Sequence, residues 1–226
     1  MEYAHITEAV FVRRINRFLA AVTLNGVEER VHVKNTGRLR ELFVPGARVL
    51  LDRAEAPGRK TGYDLVSVYH GSTLVNVDSQ APNRIAAEYL SANMPGLTAL
   101  KAEQVCGASR FDFRGEKDGQ PFYLEVKGVT LVRDGIALFP DAPTERGLKH
   151  IRELTALKKS GVNAGVLFII QRNDVRGFMP NRETQPAFAE ALIRAREAGV
   201  RTDALDCLVL PGVVTARAPV PVLLGE

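Results

Sequence analysis

Two carboxylates and a lysine occupy a segment that the sequence predicts to be a β-hairpin. Asp118-Gly119 is typical of a two-residue type I′ turn, because both central positions of that turn need a positive φ. Asp112 precedes this turn by six residues and Glu125 follows it by six, so we expect the two side chains to lie opposite each other. Lys127 comes two residues after Glu125 and should therefore share its face of the strand.

This arrangement suits the hydrolysis of a phosphodiester. Directly opposed carboxylates are unfavourable by roughly 0.2–1 kcal/mol on an exposed sheet, and by more when they are desolvated. A divalent cation such as Mg²⁺ or Mn²⁺ relieves the repulsion and takes phosphate oxygens as further ligands. A neighbouring lysine can orient the attacking water or stabilise the developing charge. The alternative is a solvated strand face on which Lys127 simply pairs with both acids.

The elements that position this hairpin alternate between helices and strands after about residue 80. Strand–helix–strand order with such spacing indicates parallel neighbours in a covered sheet. The pattern predicts a first helix with Asn83 as its N-cap, ending before Pro95-Gly96. It also predicts later helices over 143–160, capped by Asp141, and over 186–198, with strands over 164–170 and 204–210.

The first eighty or so residues instead predict short strands separated by turn dipeptides such as Asn25-Gly26 and Pro45-Gly46. The candidate strands are 9–13, 17–24, 30–34, 48–54, 63–69 and 73–77. Strands of this number and length fit an OB-like β-barrel, whose open face commonly binds nucleic acid or sugar. The predicted fold therefore has two domains, an OB-like barrel over 1–80 and a mixed α+β or α/β domain over 81–226.

Composition restricts the class of protein. The chain has 226 residues, of which 46% are hydrophobic, so it can bury a substantial core. Its apolar runs fall short of the roughly 18 residues of a membrane span, and its first residues lack the pattern of a secretory signal. We therefore expect a cytoplasmic protein without a membrane segment. Cys106 and Cys207 match no paired metal spacing, so zinc is not expected.

The charge of the chain is compatible with an anionic partner. Its formal net charge is +4, its pI is about 9.2, and arginine is more frequent than lysine. Guanidinium groups suit bidentate contacts with phosphate, although a genome rich in G and C gives the same bias without any function. The predicted DNA contacts are Arg13, Arg14, Arg17, Arg38 and Arg40 in the first half, and Arg146 and Lys149 on the helix 143–160. Solvated charged faces are the alternative.

The residues of the hairpin resemble the PD-(D/E)xK nuclease core. Asp112 followed by Glu125-Val126-Lys127 matches its central motif, although Phe111 stands where many members have proline. The resemblance implies a restriction-endonuclease-like mixed sheet with flanking helices. It also implies that Asp112, Glu125 and Lys127 are catalytic, and that Asp112, Glu125 and the helical Glu88 bind Mg²⁺ or Mn²⁺.

Longer segments resemble the sugar fermentation stimulation protein family over nearly the whole chain. They are RFLAAVTLNG, NTGRLREL, EVKGVTLVRDGIALFPDAPTERGLKHIREL and QRNDVRGFMPNRETQPAFAEAL. The resemblance implies an OB-like domain joined to a nuclease-like domain, DNA binding without sequence preference, and a link to the regulation of maltose metabolism. Our hypothesis is a DNA-binding protein whose metal site cleaves phosphodiesters. A homodimer is a possible form of the protein. A regulatory DNA-binding protein without catalysis and a sugar-binding regulator are the alternatives.

Overall fold

The computed structural model describes residues 1–54, 58–107 and 109–225, and it confirms the predicted order of a β-barrel followed by a mixed sheet with helices. The strands of the barrel sheet follow the order β3-β2-β1-β4-β5-β6, and a parallel pairing between β3 and β5 closes it. Their bounds are β1 Ile6–Arg14, β2 Leu19–Leu24, β3 Val27–Val33, β4 Arg48–Arg53, β5 Tyr63–His70 and β6 Thr73–Asn76.

The turn dipeptides predict where these strands lie. The predicted and observed ends of the strands differ for local reasons. Strand β2 begins at Leu19 and not at residue 17, because Oδ1 of Asn16 accepts hydrogen bonds from the backbone N–H groups of Phe18 and Leu19 at 2.8 and 3.0 Å. Such a side-chain turn competes with strand pairing. Inside the barrel, alternate residues such as Val31 and Val33 form a closed apolar core.

The second half contains a six-stranded sheet with the order β15-β14-β12-β9-β8-β7. Its central strands β9, β12 and β14 are parallel, and the pairs at both edges are antiparallel. A small sheet of β10, β11 and β13 lies beside it. The bounds are β7 Leu97–Cys106, β8 Ser109–Lys117, β9 Gln120–Val129, β10 Val132–Arg133, β11 Ile136–Phe139, β12 Asn163–Ile170, β13 Gly177–Pro180, β14 Arg201–Leu210 and β15 Val213–Pro219.

Helices cover both faces of this sheet. Helix α1 (Ala81–Asn93) contributes to one apolar core, and α2 (Glu145–Lys159) and α3 (Pro186–Glu197) contribute to the other. Two predicted caps are wrong. Helix α1 starts earlier, with Gln80 as N-cap, because Pro82 is favoured in the first turn. Helix α2 is capped by Thr144 and not by Asp141, since Oγ1 of Thr144 accepts from the N–H of Gly147 at 3.0 Å.

The two halves share buried surface. Leu50, Val66 and Leu74 of the barrel pack in the same core as helix α1 and the second sheet. Across the junction, Nε2 of Gln171 donates to Oδ1 of Asn76 at 2.7 Å, and both residues are buried. The barrel is therefore packed directly against the domain that carries the hairpin. In the described ranges, no helix is long and apolar enough to cross a membrane.

Candidate active site

Strands β8 and β9 form the predicted hairpin. The turn Asp118-Gly119 has φ values of 53° and 76°, as a type I′ turn requires. The antiparallel register runs from this turn to the pair Phe113 and Leu124. Asp112 and Glu125 come next after that pair, so the turn chemistry brings the two carboxylates to the same end of the hairpin.

Strand β8 separates from β9 at Asp112. The Oδ2 atom of Asp112 accepts a hydrogen bond from the backbone N–H of Val126 at 2.7 Å, so the carboxylate takes the place of a ladder partner. Phe113 packs in the core beneath α1, whereas Phe111 packs in the core beneath α2. Residues two apart on a regular strand share a face, so the strand is irregular at Asp112. Nδ2 of Asn83 also donates a hydrogen bond to Oδ1 of Asp112 at 2.9 Å. Backbone and helix together therefore fix the orientation of Asp112.

Glu125 is a buried carboxylate with unequal oxygens. Its side chain is 3% exposed. The Oε1 atom accepts from Nζ of Lys127 and lies 2.5 Å from Nδ1 of His150. The Oε2 atom is buried and accepts no hydrogen bond from any residue in the described ranges. Buried polar atoms almost always have a partner, so Oε2 of Glu125 is a candidate ligand position, a feature it shares with two other buried atoms of the described residues, Oγ of Ser109 and Oε2 of Glu153.

The two carboxyl groups differ in their electrostatics. Burial, followed by the charge of Glu125, raises the pKa of Asp112 above its ordinary value, and the Val126 amide, Asn83 and Lys127 offset only part of this. Burial also opposes ionisation of Glu125, but the His150 hydrogen bond and the charge of Lys127 outweigh it and lower the Glu125 pKa. Glu125 is thus held as a carboxylate, and its charge acts on Asp112.

These features fit a divalent cation. Carboxylate oxygens are the ligands that Mg²⁺ and Mn²⁺ prefer, and a cation would supply a partner for Oε2 of Glu125 and relieve the repulsion that Asp112 experiences. Among the described residues, no group of three or more His, Cys, Asp and Glu side chains is arranged as a metal site. Asp112 and Glu125 are the two carboxylates that would hold such an ion, with water or substrate oxygens as its other ligands.

Glu88, predicted as a third ligand, lies apart from this pair. Its carboxylate is 54% exposed, and Oε2 lies 2.7 Å from the amino group of Met1. Asn83 contacts Asp112 from the same helix, five positions earlier, and five positions on a helix of 3.6 residues per turn lead to a different side. The geometry therefore places Asn83, and not Glu88, beside the carboxylates.

A cleft of about 590 Å³ opens beside His150. Arg146 and Lys149, the predicted phosphate contacts of α2, are exposed along it, and Nζ of Lys149 lies 3.7 Å from a carboxylate oxygen of Glu153. Because His150 also touches Glu125, this cleft adjoins the carboxylate pair. Its other basic side chains are Arg110 and Arg152. The structure thus places Arg146 and Lys149 in a cleft that shares His150 with the candidate site, although Asp112, Glu125 and Lys127 do not line this cleft.

The predicted DNA contacts of the barrel fall into three groups. Arg13 is paired through both terminal nitrogens with the carboxylate of Glu28, at 2.9 and 2.8 Å. Arg14 points inward and donates to backbone carbonyls, so its guanidinium has a structural role. The remaining arginines are exposed, and their guanidinium groups make no ion pair or hydrogen bond with another described residue: Arg17, Arg38 and Arg40.

Two residues of the site were not predicted to act there. Asn83 was expected to cap α1, but Pro82 in the first turn moves the helix start, and this signal was present in the sequence. His150 is not among the site residues that the sequence predicts. It is 4% exposed and contacts Glu125, which no local pattern reveals because the contact depends on how α2 packs on β9.

Two family models match most of the chain. One, described as the sugar fermentation stimulation protein RE domain, matches residues 80–212, and the other, described as the SfsA N-terminal OB domain, matches residues 12–77. Similar proteins named sugar fermentation stimulation protein homolog are 48% identical in Desulfitobacterium hafniense strain Y51, over all of both chains, and 45% identical in Ruminiclostridium cellulolyticum, over 99% of this chain and 100% of the relative.

A solved structure is similar over the same extent. It is that of Pyrococcus furiosus SfsA in complex with Ca²⁺, with a TM-score of 0.88 and 31% sequence identity. The match covers 99% of this chain and 98% of the other. Barrel, mixed sheet and helices therefore occur together in that protein as they do here.

Proposed function

Since the chain belongs to the sugar fermentation stimulation protein family, we propose that it binds DNA without sequence preference and hydrolyses phosphodiester bonds at Asp112, Glu125 and Lys127. Mg²⁺ or Mn²⁺ would be held by Asp112 and Glu125. The observation that carries the proposal is the buried Oε2 atom of Glu125, which has no partner in the described ranges although a second carboxylate lies beside it. The similar Pyrococcus furiosus protein is in complex with Ca²⁺, a cation with the same preference for oxygen ligands.

The side chains of the site would divide the work. The bound ion would neutralise charge on the phosphate and lower the pKa of a bound water. Lys127 is 14% exposed and reaches the same face as Glu125, so its ammonium can orient that water or stabilise charge on the phosphate. The Val126 amide and Asn83 hold Asp112, and His150 holds Glu125. Preorganised groups of this kind add catalysis because they do not reorganise during the reaction.

DNA would be held by cations around this centre. Arg146 and Lys149 lie in the cleft beside His150, and Arg17, Arg38 and Arg40 are exposed on the barrel. Phosphate contacts carry no sequence information, which agrees with binding to all sequences. Counterion release would make the affinity fall steeply with salt.

The test is a cleavage and retention assay on supercoiled and linear DNA in Mg²⁺, Mn²⁺ or EDTA. Wild type is compared with Asp112→Asn, Lys127→Gln and Glu116→Gln; Glu116 is an exposed carboxylate on the same hairpin and serves as the matched control. We expect metal-dependent cleavage by wild type and Glu116→Gln, with loss in the other two variants. Equal cleavage by Asp112→Asn and wild type would contradict the proposed site.

The second candidate is a DNA-binding regulator of sugar metabolism without catalysis. It is favoured by the ion pair between Lys127 and Glu125, which satisfies both charges without a substrate. In the same assay this function would give retention of DNA by all four proteins and no cleavage with either metal.

A further inference from the structure

Arg14 joins two loops of the barrel into one surface. The loops are residues 15–18, between β1 and β2, and residues 35–40, which follow β3. The guanidinium donates to carbonyl oxygens on both: Asn16 at 3.2 Å, Arg17 at 2.8 Å, Asn35 at 2.6 Å, Gly37 at 2.7 Å and Arg38 at 3.2 Å. We call residues 15–18 and 35–40 the Arg14 platform. One side chain thus fixes the relative position of the loops.

The platform exposes apolar side chains on a fixed backbone. Phe18 is 52% exposed and Ile15 is 41% exposed. The N–H of Phe18 donates to Oδ1 of Asn16 at 2.8 Å, and its carbonyl accepts from the N–H of Val33 at 2.8 Å. The ring of Phe18 is therefore presented to solvent by a well-held main chain, as a stacking surface would be.

The same platform carries three exposed and unpaired arginines of the barrel. Arg17, Arg38 and Arg40 are exposed, and their guanidinium groups have no hydrogen bond or ion pair with another residue in the described part of the chain. By contrast, the exposed Arg13 and Arg48 are paired with Glu28 and Glu8. Exposed apolar groups thus occur where arginine is available to an external anion, which indicates a ligand with both flat apolar faces and negative charge.

The platform borders a cleft that also contacts the end of strand β9. Residues 35–37 and Leu39 form one wall of a cleft of about 340 Å³, and residues 128–131 and 141–144 form other parts of it. Gly128 belongs to β9, and a Cβ at this position would face Pro82 and Gln171. The wall is tight, since a Cβ at Gly37 would lie 2.9 Å from Oδ1 of Asn35 and 3.0 Å from Oδ2 of Asp141. The volume of this cleft is typical of a pocket for one small ligand, and it is too small to hold a duplex.

We infer that the protein takes single-stranded nucleic acid, with a base stacked on Phe18, phosphates on the platform arginines, and the strand continuing into the cleft that the platform lines. Stacking on an aromatic ring needs an unpaired base, because duplex bases are already stacked on one another. The inference rests on the proposed function, since it names the class of substrate for the same site.

The experiment measures binding and cleavage separately. Fluorescence anisotropy in EDTA, where metal-dependent cleavage is absent, compares labelled single-stranded DNA, single-stranded RNA, the matching DNA duplex and an abasic oligonucleotide. The full chain is tested as wild type, Phe18→Ala and Phe18→Tyr. Val105→Ala is the control, because Val105 is an exposed apolar residue (73%) on β7, outside the Arg14 platform. The double variant Arg38→Gln/Arg40→Gln is compared with Arg13→Gln, because Arg13 is already paired with Glu28 in the chain.

We expect single strands to bind more tightly than duplex, and Phe18→Ala to weaken single-strand binding by about 5- to 100-fold, the scale of one stacked base. Phe18→Tyr should restore it, and the abasic oligonucleotide should bind wild type and Phe18→Ala equally. The double arginine variant should reduce the salt dependence more than Arg13→Gln does. DNA or RNA as the preferred strand fits the inference equally.

Duplex binding as tight as single-strand binding, or equal affinities of Phe18→Ala and Val105→Ala for single strands, would overturn the inference. Either result leaves the proposed function standing if duplex is cleaved in Mg²⁺ or Mn²⁺. Conversely, single-strand binding through Phe18 without any cleavage removes the nuclease proposal and keeps this one.

Discussion

Two of the buried carboxylates of the protein have opposite surroundings. Asp64 in the barrel and Glu125 in the second sheet are each 3% exposed. Asp64 contacts Arg59, Lys34 at 3.1 Å and His32 at 2.9 Å, and both of its oxygens have partners. Glu125 has partners on one oxygen only, and a second carboxylate, Asp112, raises the local negative charge.

This difference separates a charge that other residues of the chain fully pair from a charge with one oxygen that has no partner among the described residues. Burial opposes ionisation of Asp64, but Arg59, Lys34 and His32 outweigh it and lower its pKa to about 2. The cations around Asp64 thus complete its environment within the chain. At Glu125 the net effect of Lys127 and His150 also favours the carboxylate, but the same charge raises the pKa of Asp112, so the pair is left with unrelieved repulsion.

The largest expected effect is on cleavage. Glu125→Gln keeps the size of the side chain and removes the charge, so we expect the rate of DNA cleavage in Mn²⁺ to fall at least about 100-fold, the scale of losing one group that acts in the transition state. Asp64→Asn is the matched change in the barrel and should cleave at the wild-type rate at a temperature where it is folded. Similar losses in both variants would erase the distinction between the two carboxylates.

Metal should stabilise the protein through Asp112 and Glu125 and not through Asp64. A ligand that binds only the native state contributes about 2.7 kcal/mol when it is present at 100 times its Kd. We expect Mn²⁺ to raise the melting temperature of wild type and Asp64→Asn, and to leave that of Asp112→Asn and Glu125→Gln unchanged. Calorimetric titration with Ca²⁺ gives a second readout without cleavage. A shift of equal size in all four proteins would place the ion elsewhere.

Asp64→Asn should destabilise the protein without metal. A pKa lowered from 3.8 to about 2 corresponds to about 2 kcal/mol of stability at neutral pH, and the variant also leaves Arg59 and Lys34 without their carboxylate. Urea unfolding at pH 7 measures the loss, with Asp52→Asn, a partly buried strand aspartate of the neighbouring β4, as control. A loss below about 0.5 kcal/mol, the usual range for surface substitutions, would show that the paired cluster adds little.

The hairpin was predictable because its signals are local. Asp118-Gly119 specifies the turn, the turn specifies the register, and strand alternation places Lys127 with Glu125. The barrel followed for the same reason, since turn dipeptides mark the ends of its strands. In both cases a few adjacent residues determine the backbone.

The contacts that complete the site depend on tertiary packing and could not be read in the same way. Asp112 leaves the ladder where Phe111 packs beneath α2, and His150 reaches Glu125 only because α2 lies against β9. Arg14 looks like any other arginine of a basic segment, yet the carbonyls it binds come from loops on both sides of β2 and β3. The type of each side chain indicates what chemistry it can do. Whether it contacts a ligand or has a structural role depends on its neighbours in the fold, which the sequence does not show.

The smallest effect, on acid stability, tests the assignment of Asp64 most directly. Because its pKa in the folded protein lies below the unfolded value of 3.8, its contribution is fully present above that value and is lost as the pH falls toward 2. Between pH 5 and pH 3 this loss amounts to about 1 kcal/mol. Wild type should therefore lose about 1 kcal/mol more than Asp64→Asn over this range in urea unfolding, although other carboxylates titrate in both. Parallel pH profiles for the two proteins would mean that Arg59, Lys34 and His32 do not hold Asp64 as the geometry requires.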